Sequence, residues 1–275
     1  MKAIVLTIDK YHPLTDHMIA AYGRLWPDHP FQFRVPYQET PDALRDKYGS
    51  RVEMIRTDRA FAATVLGLLQ DIPDTAWVYW CIDDKYPVDL DLPVIRQVTS
   101  WVSSLEDRSI SGIMCCRPPV LFDPAHVEWR RRLTDPDGRG YVRRKDYAGI
   151  WGHQFVRAHV LRWFFNHLPD RPFSAKEMDR LKWSIPLPAR SDMHVLERSA
   201  IYFGESTTRG KLTQNCAESL RRHGLAIPEQ FEIAERSRLI GHESFGSNEL
   251  GLQWLTAKQW GRSLWRQLAT RLDRS

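Results

Sequence analysis

Apolar residues along this chain fall into short β-branched and aromatic runs, separated by longer stretches in which they recur every three or four positions. The first pattern is that of buried strands, the second that of helices packed by one face. Residues 2–8 (KAIVLTI), 31–35, 52–55, 77–82 (WVYWCI) and 110–116 therefore read as strands. Residues 17–25, 59–69 and 92–105 read as helices, the last with Pro93 in its first turn, where its missing N–H is tolerated. The resulting order is strand–helix–strand–strand–helix–strand–helix–strand. It predicts an α/β fold with a mostly parallel sheet flanked by helices. In such sheets ligands gather outside the carboxyl ends of the strands.

Beyond residue 120 the pattern weakens. Residues 123–140 are charged and turn-rich, 141–147 read as an edge strand, and 153–168 as an amphipathic helix ending before Pro169. Residues 170–190 look loop-like, and 195–203 read as a late strand. A glycine-containing connection at 241–251 leads into residues 250–274. There Leu250, Trp254, Ala257, Leu264, Trp265, Leu268 and Leu272 share one side of a helical wheel, flanked or opposed by Lys258, Arg262, Arg266 and Arg274. We expect one domain over 1–240 and a basic C-terminal amphipathic helix within 241–275. Such a helix suits a membrane surface, or packing on its own domain or on a second subunit.

Composition narrows the class. A net charge of +5 favours anionic partners, namely phosphates, nucleic acid or acidic lipid, without choosing among them. The four cysteines show no Cys-x-x-Cys spacing. Cys81, Cys115 and Cys116 lie in apolar runs and read as buried free thiols, which fits a reducing cytoplasm. The N-terminal apolar run is short for a signal peptide, and no apolar segment approaches the ~20 residues that span a bilayer. The expected location is the cytoplasm, with peripheral contact at the inner face of its membrane through 250–274. No His-Glu-x-x-His, Gly-x-Ser-x-Gly, P-loop or Gly-x-Gly-x-x-Gly pattern occurs, which argues against zinc proteases, serine hydrolases, P-loop ATPases and Rossmann dehydrogenases. His153, His159 and His167 lack the spacing of a shared metal face and read as polar-face or interface histidines.

The candidate chemistry begins where WVYWCI runs into Asp83 and Asp84. Adjacent carboxylates repel, and burying both without a cation is costly. Oxygen ligands of this kind suit Mg²⁺ or Mn²⁺, which commonly carry phosphates alongside. A solvated strand end or a capping pair fits the same residues.

A strand of this type running into Asp83-Asp84-Lys85-Tyr86, after three strands of an α/β pattern, resembles the GT-A glycosyltransferases, in particular bacterial members with an Asp-Asp-Tyr motif. The resemblance extends over roughly residues 1–230. Ser174-Ala175-Lys176-Glu177-Met178-Asp179 is similar to a Ser-Pro-Trp-Glu-Phe-Glu-like segment of those enzymes, with both acidic positions kept and the tryptophan lost. Thr208-Arg209-Gly210-Lys211-Leu212 is similar to an Arg-Gly-Lys-like segment. The acidic motif is a dyad with Lys85 inserted before the tyrosine, so Lys85 could supply part of the positive charge.

The resemblance implies a transferase moving a sugar from a nucleotide-diphosphate donor to a glycan or lipid-linked acceptor in envelope polysaccharide synthesis. Asp83 and Asp84 would hold a divalent cation, Mn²⁺ or Mg²⁺, on the diphosphate. Arg209 and Lys211 would add charge on the phosphates, with Gly210 allowing close backbone approach. Glu177 or Asp179 would act as general base, although Ser174 and Glu177 also form a capping box. Asp9 and Tyr11, after the first strand, would meet the base and ribose, and Asp58 and Arg59, after the third, are similar candidates. Two other classes stay open. One is a non-catalytic protein binding nucleic acid or another anionic polymer through residues 129–132 and 143–145, runs that lack aromatic interleaving. The other is a metal-dependent phosphodiester enzyme, which would need further carboxylates to converge.

Overall fold

The short apolar runs fold as strands and most stretches between them as helices, in a computed structural model that describes residues 1–39, 44–169 and 175–234. The first half of the chain forms β1 (Lys2–Leu6), α1 (His12–Leu25), β2 (Gln32–Tyr37), α2 (Leu44–Tyr48), β3 (Val52–Arg56), α3 (Phe61–Leu68), β4 (Trp77–Ile82), β5 (Lys85–Leu90), α4 (Leu92–Ser104) and β6 (Ile110–Met114). The second half adds β7 (Val127–Thr134), β8 (Gly140–Arg144), β9 (Gln154–Arg157), α5 (Ala158–Asn166), α6 (Ala175–Leu181), β10 (Asp192–Leu196), β11 (Ile201–Glu205), β12 (Thr207–Thr208), β13 (Lys211–Leu212) and α7 (Gln214–Arg222).

Among the described residues nine strands make one sheet, in the order β3-β2-β1-β4-β9-β6-β10-β8-β7. β1 pairs in parallel with β2 and β4, β2 with β3, and β6 with β10. β9 runs against both its neighbours, and β8 against β10 and β7. Seven strands thus share one direction. This is the mostly parallel, helix-flanked α/β sheet that the sequence predicts. β5 pairs with β11 in a separate ribbon, and β12 with β13 in a hairpin.

Alternation along the central strands builds two cores. Ala3 and Val5 of β1 and Tyr79 and Cys81 of β4 join one cluster with Leu14, Met18 and Tyr22 of α1 and Ile95 and Val98 of α4. Ile4 and Leu6 of β1, with Val78 and Trp80 of β4, join the other cluster with Val65 and Leu68 of α3 and Phe164 and Phe165 of α5. Both faces are covered, which is why these strands read as continuous apolar runs. Cys81, Cys115, Cys116 and Cys216 are free and buried. Among the described residues no helix is long and apolar enough to cross a membrane.

Four expectations change. The helix expected over 153–168 begins only at Ala158. Residues 154–157 form β9, wedged between β4 and β6 and fully buried, so no exposed side was present to mark it as a strand. The late strand expected at 195–203 is two strands, β10 and β11, which belong to different sheets. The edge is β7, inside the stretch read as turns, while β8 lies within the sheet; Arg130, Arg131 and Arg132 make β7 a charged, bulged edge that resists pairing with another chain. Residues 175–181 form α6 within the stretch read as loop. The expected amphipathic helix at 250–274 and the tail 241–275 lie outside the described residues, as does Ser174.

Candidate functional site

The chain leaves β1 for β2 and β3 on one side, then crosses to β4 on the other. Such a reversal opens a crevice outside the carboxyl ends of the two central strands. A cavity of about 550 Å³ lies there, a size suited to a small organic ligand. Thr7 and Ile8 follow β1 into its wall, and Asp83, Asp84 and Lys85 follow β4. Tyr11, Arg59, Phe61, Trp151, Met178, Asp179 and Thr207 contribute the rest of what matters chemically.

The two carboxylates are held with oxygens to spare. The Asp83 amide donates to the Leu6 carbonyl at 3.2 Å, continuing the contact of β4 with β1. Burial pushes the Asp83 carboxyl up to about 8, against a hydrogen bond from the Thr7 hydroxyl, while the neighbouring Asp84 charge adds to the rise. Asp83 Oδ2 and Asp84 Oδ1 are buried and accept no hydrogen bond. A buried acceptor left unmet costs free energy, so a ligand supplying positive charge or donors is favoured here. The Lys85 ammonium lies 3.9 Å from Asp84 Oδ1 and 2.6 Å from Glu205 Oε1. Burial alone would lower it, but the charges of Asp84 and Glu205 outweigh that and raise it.

Among the described residues no group of three or more His, Cys, Asp or Glu side chains could hold a metal ion. An all-protein cage is not what Mg²⁺ typically needs, since it is usually bound through one or two carboxylates together with substrate phosphates and water. The two oxygens that accept no hydrogen bond fit that donor set.

The other sequence candidates divide. Tyr11 lines the cavity and stacks on Phe231, with centroids 5.5 Å apart. Burial, and then the charges of Asp83 and Asp84, raise its phenol. Asp9 is not on the wall. Its carboxylate accepts from the Gln38 and Glu39 amides at 2.9 and 3.0 Å, tying the loop after β1 to the end of β2. Asp58 is also off the wall and accepts from the Ala60 amide at 3.2 Å, at the start of α3; its neighbour Arg59 is on the wall and pairs with Glu39. Asp179 reaches the cavity and Glu177 does not line it. Asp179 Oδ1 accepts from the Trp151 indole at 3.1 Å and from Lys182 at 2.5 Å.

Arg209 and Gly210 form the tip of the β12–β13 hairpin, with φ of 50° and 78°. Two central residues at positive φ make the turn that matches strand twist, so Gly210 is required by the turn itself. Arg209 and Lys211 are exposed and off the wall, Lys211 pairing with Glu232 at 2.7 Å; Thr207, two residues before Arg209, is on it. Phe61, Trp151 and Glu205 escaped the sequence reading. Nothing local marks Glu205, which meets Lys85 through the β5–β11 register.

Of the three histidines, His153 departs from the expected polar face. His153 precedes β9 and is buried, with its ring nitrogens on the Ile82 carbonyl and the Tyr22 hydroxyl. His159 bonds Ser191 Oγ at 2.9 Å, and His167 bonds its own helix at Trp163 O.

No protein-family model matches the chain, and no curated protein does. Solved structures give faint likenesses. CMP:2-keto-3-deoxy-manno-octonic acid synthetase complexed with CTP aligns at 14% identity over 80% of this chain and 97% of that one, with a TM-score of 0.44. UDP-glucose pyrophosphorylase complexed with UDP-glucose aligns at 10% over 74% and 92%, also with 0.44. S. aureus TarS 1–349 in complex with UDP-GlcNAc aligns at 13% over 81% and 64%, again with 0.44. Likenesses that faint do not bear on the chemistry of Asp83 and Asp84, which stands on the cavity itself.

Proposed function

We propose that this chain is a glycosyltransferase, moving a sugar from a nucleotide-diphosphate donor to a hydroxyl of a glycan or lipid-linked acceptor in envelope polysaccharide synthesis. The observation that carries the reading is the pair of buried oxygens that accept no hydrogen bond, Asp83 Oδ2 and Asp84 Oδ1, at the switch-point cavity. Asp83 and Asp84 are the residues to hold Mg²⁺ or Mn²⁺ beside a diphosphate. When bound, such a cation neutralises charge that develops on the leaving diphosphate.

The chain's own groups supply the rest. Lys85, paired with Glu205 and Asp84, and Arg59, paired with Glu39, lie on the cavity wall and would have to exchange those carboxylates for the negative charge that a departing diphosphate gathers. Tyr11, on the wall and backed by Phe231, is the aromatic residue to meet a base. Asp179 is preferred to Glu177 as the group that accepts the acceptor's proton, because Asp179 lines the cavity. Trp151 and Lys182 both engage its Oδ1, which leaves Oδ2 for an acceptor hydroxyl. Arg209 and Lys211 stand outside the wall, so their role is confined to the part of a donor that projects past Thr207. Asp9 and Asp58 shape the loops that carry Tyr11 and Arg59.

The polymer-binding alternative has less support. Arg143 is clamped between Asp192 and Glu128, at 2.6 and 2.9 Å, and Arg131 and Arg132 pair with Glu128 and Glu197. The test is release of UDP or GDP from a panel of nucleotide sugars, with and without Mn²⁺. Turnover that disappears in Asp84→Asn and Asp179→Asn supports the reading. Release from no donor, with simple glycan acceptors supplied, counts against it.

A further inference from the structure

The ladder between β4 and β9 ends at the pair Trp80 and Gln154. Two residues further along β4, the Ile82 carbonyl accepts from His153 Nε2 at 3.0 Å. The next amide, that of Asp83, donates to Leu6 O at 3.2 Å. One peptide group is therefore held from both sides, by an imidazole at its oxygen and by β1 at its nitrogen. A peptide is planar, so fixing both ends fixes the direction in which Asp83 leaves the strand.

The imidazole is itself fixed. Its Nδ1 lies 2.8 Å from the Tyr22 hydroxyl, which lies 2.9 Å from the Tyr79 hydroxyl, and its ring packs 4.6 Å from Phe203. Because Nε2 faces a carbonyl, it carries the proton. Nδ1 then accepts from Tyr22, and Tyr22 accepts from Tyr79. Burial keeps the ring neutral and so preserves this tautomer. On the same loop Trp151 lines the cavity and binds Asp179.

We infer that His153 is a positioning residue of the candidate site: it sets the exit of β4 so that Asp83 and Asp84 face the cavity, and its loop joins them to the wall that holds Asp179. The functional meaning of this clamp rests on the proposed donor site, whereas the clamp itself can be tested without it.

Two polar variants separate the roles of the ring nitrogens. Glutamine puts its amide near the position of Nε2, and asparagine reaches only that of Nδ1. Amide hydrogen exchange is read at residues 83–85 and, as reference, in β2 and β6. His153→Asn is expected to speed exchange at 83–85 by about tenfold, the size of one lost hydrogen bond, while His153→Gln stays near wild type and the reference strands hold. Unchanged exchange at 83–85 in His153→Asn, or equal acceleration in the reference strands, overturns the inference. Should His153→Asn fail to fold, Tyr22→Phe, which removes the donor to Nδ1, is expected to loosen 83–85 in the same selective way, and its failure to do so overturns the inference equally. Nucleotide binding is measured alongside. If wild type binds none, the donor reading fails, yet the exchange result still decides the clamp.

Discussion

Lys85 Nζ meets Glu205 Oε1 at 2.6 Å across the β5–β11 ribbon, whose register sets the two residues opposite each other. The pair adjoins Asp84, so one cation lies between two carboxylates of a partly buried site. Removing the cation leaves two carboxylates without compensation, whereas removing Glu205 leaves Lys85 beside Asp84. Lys85→Met is expected to destabilise the fold by about 2 kcal/mol, and Glu205→Gln by less, because Lys85 keeps Asp84. The double variant should lose less than the sum, because the two share one interaction. Urea unfolding of the four proteins checks this.

Asp83 is costly to the empty protein. Its carboxyl is raised to about 8 by burial, so ionising it opposes the folded state, and increasingly so as pH climbs from about 4 toward 8. Asp83→Asn is expected to raise the melting temperature of the ligand-free protein, with a gain of about 1–2 kcal/mol, while abolishing any response to nucleotide. A calorimetric scan near pH 8 shows the first effect, and the same scan with nucleotide and Mn²⁺ shows the second.

Buried histidines set the acid limit. Burial pushes His17 and His153 down to about 3, and His29 and His194 to about 4. In the unfolded chain each regains a value near 6.5. Below that value the unfolded state binds protons that the folded state refuses, so stability is full above about 6.5 and is lost as pH falls toward 4. Asp83 acts with the opposite sign and takes up one proton in the folded state. The histidines outnumber it, since burial lowers His159 and His223 as well, so unfolding takes up a net number of protons between pH 5 and 6. The slope of unfolding free energy against pH measures that number.

The hairpin tip separates backbone from side chain. Gly210→Ala places a Cβ at a φ of 78° and is expected to cost about 1 kcal/mol. Arg209→Asn suits its φ of 50° and should leave stability unchanged or slightly raised. If Arg209 reaches a donor beyond Thr207, the asparagine variant raises KM for the donor without loss of fold. An unchanged KM assigns the arginine to the turn alone.

The central sheet was legible because β1 and β4 are buried on both faces, which leaves unbroken apolar runs that end in polar residues at the site edge. Asp83 and Asp84 were visible for the same reason. β9 was hidden because a four-residue strand running straight into an apolar helix shares the helix's composition. β5 was hidden by Pro87 and Asp89, residues that a two-stranded ribbon tolerates better than a central strand does. Glu205 and His153 could not be read locally at all. Each acquires its role from a partner far away in sequence: Lys85 for Glu205, and Ile82 for His153. Asp9 illustrates the converse, a carboxylate well placed in sequence whose oxygens are taken by the Gln38 and Glu39 amides.

The most direct test of the donor site is thermal stabilisation by UDP, GDP and their sugars, with and without Mn²⁺. A ligand that binds only the folded state raises the melting temperature. The account predicts a rise with one nucleotide family that is larger with Mn²⁺ and absent in Asp84→Ala. No rise with any nucleotide in the presence of metal, from protein that is otherwise folded, would contradict it.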